Sequence, residues 1–288
     1  MKLSGESSPG VPTIEKAFPA LFFRSTAAIE SGSFLLYAAS LLRFHVIEAA
    51  MILVEKRQPM QIGDKVAFIS GYPIVTTLQK TKPQDIYKAL FEPCHKYNVA
   101  VKPTKLAHDL RDLLLIFKEA RFGFTAVTDG ELYAMVGLSD VLGLYRRSAL
   151  STDLTAHDVA SEAISVEPGT TIKDALNLML ERRIRRVFIK GTNTFVSDRE
   201  VVSYIFSPRK LQEVRRSPGK MLDDTVLNVG PVEAPKIEDD LPLREAASLV
   251  VQSQGGALTC NKGVVSPWDI VMKPFATGHL DVESTTHD

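Results

Sequence analysis

Apolar and polar positions along this chain fall into one pattern that is used four times. From Ser33 the apolar residues are Phe34, Tyr37, Ala38, Leu41 and Leu42, the i, i+3, i+4, i+7, i+8 spacing of one helix face. An apolar run over 49–54 then predicts a strand. After a polar connection holding Gly63-Asp64, a second strand is predicted over 65–69, leading to a helix start at Ser70. The same order returns from Asp109, with helix positions Leu110, Leu113, Leu114 and Phe117. Its strands are expected at 124–127 and 132–136, joined by the hairpin dipeptide Asp129-Gly130, and a helix start follows near Asp140.

A third copy opens with Thr171 and Asp174 at capping-box spacing. Its helix carries Ile172, Ala175, Leu176, Met179 and Leu180, and strands at 186–189 and 194–196 lead to Ser197. The fourth has Leu243, Ala246, Ala247, Val250 and Val251 on its helix, then the stretch 255–273, which shows the pattern most clearly. That stretch reads as strand 257–260, a turn at Asn261-Lys262, strand 263–265, and Ser266-Pro267-Trp268-Asp269. Ser266 suits an N-cap and Pro267 the first helical turn. A hydroxyl, free backbone N–H groups and a carboxylate three residues on can together hold a phosphorylated sugar. Ser70, Gly137, Ser197 and Ser266 are the equivalent helix-start positions, about 60 to 70 residues apart. A unit of this size buries too little surface alone, so copies are expected to pack together.

Between the copies, 81–97 and 209–226 read as connectors, and the Ser-, Pro- and Gly-rich residues 1–24 as a loosely held lead-in. The expected boundaries are 25–80, 98–147, 158–208 and 226–275, with a tail at 276–288.

Composition narrows the function classes. Lys plus Arg equals Asp plus Glu, 34 against 34 in 288 residues, so no global field attracts nucleic acid or an anionic membrane. The two cysteines, Cys94 and Cys260, have no metal-ligand spacing and suit reduced thiols in a cytoplasmic protein. No metal cofactor is expected. The first 16 residues lack the apolar core of a signal peptide, and Arg43, His45 and Glu48 interrupt the longest apolar stretch. The six histidines are scattered, no Gly-rich phosphate loop is present, and no nucleophile elbow supports a Ser/His/Asp set. A non-enzymatic role is the expectation.

The repeated unit resembles the cystathionine-β-synthase (CBS) domain, whose signature at the second strand and helix start is small–apolar–apolar–Ser/Thr–x–x–Asp–apolar–apolar. The fourth copy, Gly263-Val264-Val265-Ser266-Pro267-Trp268-Asp269-Ile270-Val271, matches it throughout. The second carries Gly137 for Ser/Thr and keeps Asp140; the third keeps Ser197 and has Glu200 for Asp; the first keeps Ser70 and has Pro73 for Asp. The resemblance implies an α/β (α+β) chain of four CBS repeats in two pseudo-two-fold pairs, a disk similar in layout to the gamma subunit of AMP-activated protein kinase.

That resemblance also implies an adenine nucleotide (AMP, ADP or ATP) in clefts between repeats, and signalling to a partner protein. Asp269 and Asp140 would accept hydrogen bonds from ribose hydroxyls, with Glu200 as a longer equivalent. Ser266, Ser197 and the backbone at Gly137 would meet ribose or phosphate. Arg185 and Arg186, in the run 182–186, would meet phosphate, a task suited to guanidinium forks. Arg121, Arg43 and His45 fall at roughly analogous places. Adenine would lie against 163–166, including Ile164, and 231–233, including Val232. Each assignment has a structural alternative: helix capping for the carboxylates, a solvated helix end for the arginines, strand packing for Ile164 and Val232. Three other readings stay open: S-adenosylmethionine as the ligand, RNA binding through the arginine run with Arg215 and Arg216, and a scaffold with degenerate sites. A homodimer is compatible with all of them.

Overall fold

The computed structural model describes residues 11–45, 48–55, 58–217, 220–253 and 256–282. The first repeat is β1 (Ala28–Glu30), α2 (Leu35–His45), β2 (Ala49–Leu53), β3 (Gln61–Ile62), β4 (Lys65–Ser70) and α3 (Gly71–Lys80), preceded by the short α1 (Ile14–Ala17). A connector with α4 (Ile86–Ala89) and β5 (Val99–Val101) leads to the second repeat. This comprises β6 (Thr104–Lys105), α5 (Leu110–Ala120), β7 (Phe124–Thr128), β8 (Tyr133–Gly137) and α6 (Leu138–Arg146). After β9 (Leu150–Ser151) and α7 (Ala156–Val159) comes the third: β10 (Ser165–Val166), α8 (Ile172–Arg182), β11 (Arg186–Ile189), β12 (Thr194–Ser197) and α9 (Asp198–Ile205). Then α10 (Pro208–Arg216) and β13 (Val232–Glu233) precede α11 (Leu243–Gln252), β14 (Leu258–Cys260), β15 (Gly263–Val265) and α12 (Pro267–Thr277), and β16 (Asp281–Val282) closes the described chain.

Each repeat has one local logic. A leading strand or bridge runs parallel to the first hairpin strand: Ala28 with Met51, Thr104 with Val127, Ser165 with Phe188, and Lys236 with Thr259. The helix between them covers one face of that small sheet. At α8, Thr171 accepts from the Asp174 N–H at 3.1 Å, as their spacing predicts, and Arg183 ends the helix in the left-handed conformation.

The repeats pair in two different ways. Sheets of the first and second repeats meet through Met51, Phe68, Phe124 and Ala126, and those of the third and fourth through Phe188, Phe195, Ala257 and Val264. Leading segments cross over within each such pair. Val232 registers with Phe195, Ser161 bridges Val264, and β5 pairs with β4. Gly263 is required at one crossing, because its φ is +154° and a Cβ there would stand 2.1 Å from the Ser161 carbonyl oxygen. Helices make the second kind of contact: α3 and α2 pack on α9, and α3 on α8, while α6 packs on α11 and α12. The two largest cores follow, one shared by repeats one and three and the other by repeats two and four.

Three expectations change. The described part of the lead-in is not loosely held: Ile14, Phe18 and Leu21 are buried in the core of repeats two and four. The connectors contain helices, α4 and the nine-residue α10. In the expected tail, Asp281–Val282 pairs antiparallel with β9. The expectations for 1–10, 255 and 283–288, and for the His45 side chain, concern positions outside the described residues. Among the described residues no helix is long and apolar enough to cross a membrane, and Cys94 and Cys260 are buried free thiols. Burial pushes the Cys94 thiol up to about 11, which keeps it protonated and unreactive.

Candidate ligand-binding cavity

The register of the hairpins fixes what lies at the centre. Arg186 pairs with Ser197, Phe124 with Gly137, Ala49 with Ser70 and Leu258 with Val265, so Glu48, Gly123, Arg185 and Gly256 hold equivalent places ahead of their strands. Two of them make the same bond to the next helix. The Asp198 N–H donates to the Arg185 carbonyl at 3.1 Å, and the Leu138 N–H to the Gly123 carbonyl at 2.8 Å. Gly123 must stay small, since a Cβ there would fall 2.3 Å from Leu138 Cδ1.

A cavity of about 110 Å3 opens beside these positions. It is lined by Glu48, Arg43, Arg185, Arg186, Asp198 and Arg199, and by Gly71, Ser197, Gly256 and Pro267 at helix or strand starts. Four arginines therefore face two carboxylates. The first turns of α3, α9 and α12 contribute Gly71, Asp198 and Pro267, and helix N-termini add positive potential. Arg185 grips Asp198 through Nε at 3.1 Å and Nη2 at 2.8 Å. Burial works against the Arg185 charge, but Asp198 and Glu48 outweigh it and hold the guanidinium charged.

Arg186 is placed differently. Burial, reinforced by the adjacent Arg185 charge, lowers its pKa from the ordinary arginine value. Its guanidinium stands 5.6 Å from the Phe195 ring centroid, and its buried Nε has no hydrogen-bond partner among the described residues. Ser70 Oγ, next to Gly71, is likewise buried and unpartnered. A buried donor without an acceptor costs about 1–3 kcal/mol, which an anion entering here would recover.

Glu48 is a half-buried carboxylate of the site. Desolvation raises its pKa, and Asp140 adds to this, while Arg185, Arg186 and Arg199 pull the other way. Its Oε2 stands 3.1 Å from the point a Cβ on Gly137 would occupy, so the missing side chain at that helix start makes room for it.

The sequence-derived residues divide into two groups. Arg185, Arg186 and Ser197 line the cavity, and so does Arg43. The helix-start carboxylates point back into their own helices. Asp269 is 6% exposed; its Oδ2 accepts from the Ser266 N–H at 3.0 Å and the Ser266 hydroxyl at 2.5 Å, and its Oδ1 from the Ser161 hydroxyl at 2.7 Å. Lys273 Nζ stands 3.4 Å from that Oδ1. Asp140 accepts from the Gly137 N–H at 2.8 Å and from Arg24 Nη1 at 2.5 Å. Glu200 accepts from the Ser197 N–H at 3.0 Å, from the Ser197 hydroxyl, and from Arg199 Nε at 3.1 Å. Each is thus a capping carboxylate here, already partnered. Ile164 and Val232 are half-buried in leading segments; the Ile164 carbonyl accepts from the Phe188 N–H at 2.8 Å and Val232 packs beside Phe188 and Phe195. Arg121 is an exposed left-handed C-cap, away from the cavity lining.

Sequence reasoning passed over Glu48, Asp198, Arg199 and Arg24 as site residues. Aligning the four copies on their hairpins would have placed Glu48 opposite Arg185, a charge at the position where two other copies have glycine. Arg24 gave no local signal, because its partner is 116 residues away. Among the described residues no group of three or more His, Cys, Asp or Glu is placed to hold a metal ion.

Comparison with known proteins agrees with this architecture. Residues 156–206 match the family model of the CBS domain. MJ1225 of Methanocaldococcus jannaschii, whose crystal structure describes it as a candidate archaeal homologue of the gamma subunit of AMPK, superposes with a TM-score of 0.74 at 14% identity. The match covers 90% of this chain and 98% of that one. An uncharacterized 33.4 kDa protein in a ribosomal RNA operon of Thermofilum pendens is 25% identical over 225 residues, 73% of this chain and 74% of its own length. CBSX2 of Arabidopsis thaliana, in a structure with AMP, aligns over 43% of this chain and 98% of its own at 20% identity, with a TM-score of 0.34. The third repeat thus matches the CBS-domain model, and the chain shares the fold of MJ1225.

Proposed function

We propose that this CBS-repeat protein is a non-catalytic regulator that binds an adenine nucleotide with its phosphate in the arginine-lined cavity and passes the occupied state to a partner protein. The observation that carries this reading is Arg186: a guanidinium turned to a cavity, with a buried Nε that has no acceptor, beside Arg185, Arg199 and helix N-termini. A cavity of about 110 Å3 suits a phosphate group. It is smaller than the roughly 300–1,000 Å3 of most small-molecule clefts, so the nucleoside requires side chains to give way. The partnered state of Asp269 and Asp140 fits that picture: ribose hydroxyls would take the places of the Ser161 hydroxyl and of Arg24. The same excess of guanidinium groups disfavours a sulfonium cation, so a phosphate-bearing ligand is preferred to S-adenosylmethionine.

Thermal melts with AMP, ADP, ATP and S-adenosylmethionine test the reading. A ligand present at about 100 times its Kd adds about 2.7 kcal/mol of stability. The phosphate ligands should raise Tm and the sulfonium should not, and Arg186→Ala should remove the rise. No shift with any phosphate ligand at millimolar concentration would end the proposal.

A further inference from the structure

We propose that Glu48 limits the negative charge the cavity accepts, acting as an internal anion that a ligand must neutralise or displace. The inference rests on the phosphate reading above and concerns the selectivity and regulation of that same site.

The geometry is that of a competitor. Glu48 lines the cavity with Arg43, Arg185, Arg186 and Arg199. It comes from the first repeat, whereas three of those arginines belong to the third, and its Oε2 reaches the start of α6 in the second, where Gly137 leaves space. Gly137 is the one helix-start residue of the four without a hydroxyl. A carboxylate from another repeat thus stands at an N-terminus whose N-cap residue has no side chain, beside the Asp140 carboxylate that accepts from the Gly137 N–H, a place where the helix favours an anion. The charged groups around Glu48 among the described residues are Arg43 from α2, Arg185 just ahead of β11 and Arg186 at its start, Asp198 and Arg199 from α9, and Asp140 from α6.

Two consequences follow. A phosphate drawn to Arg185 and Arg186 meets the Glu48 carboxylate at close range, and each further ligand charge adds repulsion. Glu48 already binds its proton more readily than an ordinary glutamate, because desolvation raises its pKa, and an added anion raises it again. Ligand binding therefore takes up a proton and tightens as pH falls. The protein favours a monophosphate over a triphosphate, and Glu48 supplies that preference.

Calorimetric titration of the full chain with AMP, ATP and pyrophosphate, in buffers of different ionisation enthalpy, tests this with Glu48→Gln and Glu48→Ala. The wild type should take up a proton on binding and bind more tightly at about pH 6 than at about pH 8. Glu48→Gln should bind ATP about tenfold more tightly at the higher pH, equivalent to one pKa unit of interaction, with a smaller gain for AMP and no proton uptake. An unchanged AMP-to-ATP ratio with proton uptake retained in both variants would overturn the inference while leaving the nucleotide reading in place. Pyrophosphate binding that depends on Glu48, without binding of either nucleotide, would do the reverse. Failure of all three ligands with every form of the protein would overturn both.

Discussion

At the scale of single residues, charge and steric fit make the sharpest predictions. The Glu48 pKa is raised in the folded chain by burial, so ionising it costs stability. That cost is absent below the unfolded-state pKa and appears as pH rises through the higher folded-state value. Glu48→Gln should therefore raise Tm at neutral and alkaline pH and change it little in acid, as a melting series across pH would show. An equal effect at all pH values would contradict a burial origin. Gly263→Ala forces a Cβ to 2.1 Å from the Ser161 oxygen, and the Ser161–Val264 bridge must open. A loss of about 3 kcal/mol or more in denaturant unfolding is expected. At this scale the sequence was readable where chemistry is local: Ser266 and Asp269, three residues apart, form the capping box that their spacing predicts. It was not readable where the partner is distant. Asp140 meets Arg24 and Glu48 meets Gly137 only because the repeats fold over one another.

At the scale of elements, the apolar periodicity was enough to find the helix–strand–strand–helix order of each repeat, since each element there has a face to bury. It failed for α10, which buries only Lys210 and Val214, so its helical character rests on the Ser207 cap and Pro208 rather than on an apolar stripe. It failed again for α1, whose four residues lie beside a Ser-, Pro- and Gly-rich lead-in although Ile14 and Ala17 are buried. Helix α8 offers a clean test of capping. Thr171→Ala removes the acceptor for the Asp174 N–H and should cost about 1 kcal/mol while leaving nucleotide affinity unchanged, because neither residue lines the cavity. Denaturation and a ligand titration on the same preparation read both quantities.

At the scale of the whole molecule, the pattern predicts that repeats pair but does not choose partners, because all four helix faces are apolar. The structure uses both options, sheets joining one to two and three to four, helices joining one to three and two to four. Each repeat is thereby held by two others, and unfolding should be cooperative across the chain. Ile205→Ala in α9, fully buried in the core of repeats one and three, should cost about 2–5 kcal/mol. It should lower a single calorimetric transition, whereas two separating transitions would show that the halves fold independently.

The central claim is that the arginine-lined cavity recognises phosphate, and comparing AMP with adenosine tests it most directly. Trp268 lies half-buried beside the cavity residue Pro267, so its emission can follow the titration alongside calorimetric heat. The account predicts saturable AMP binding, adenosine binding weaker by at least about tenfold, and loss of that difference in Arg185→Ala/Arg186→Ala. Adenosine binding as tight as AMP, or AMP affinity untouched by the double substitution, would contradict it.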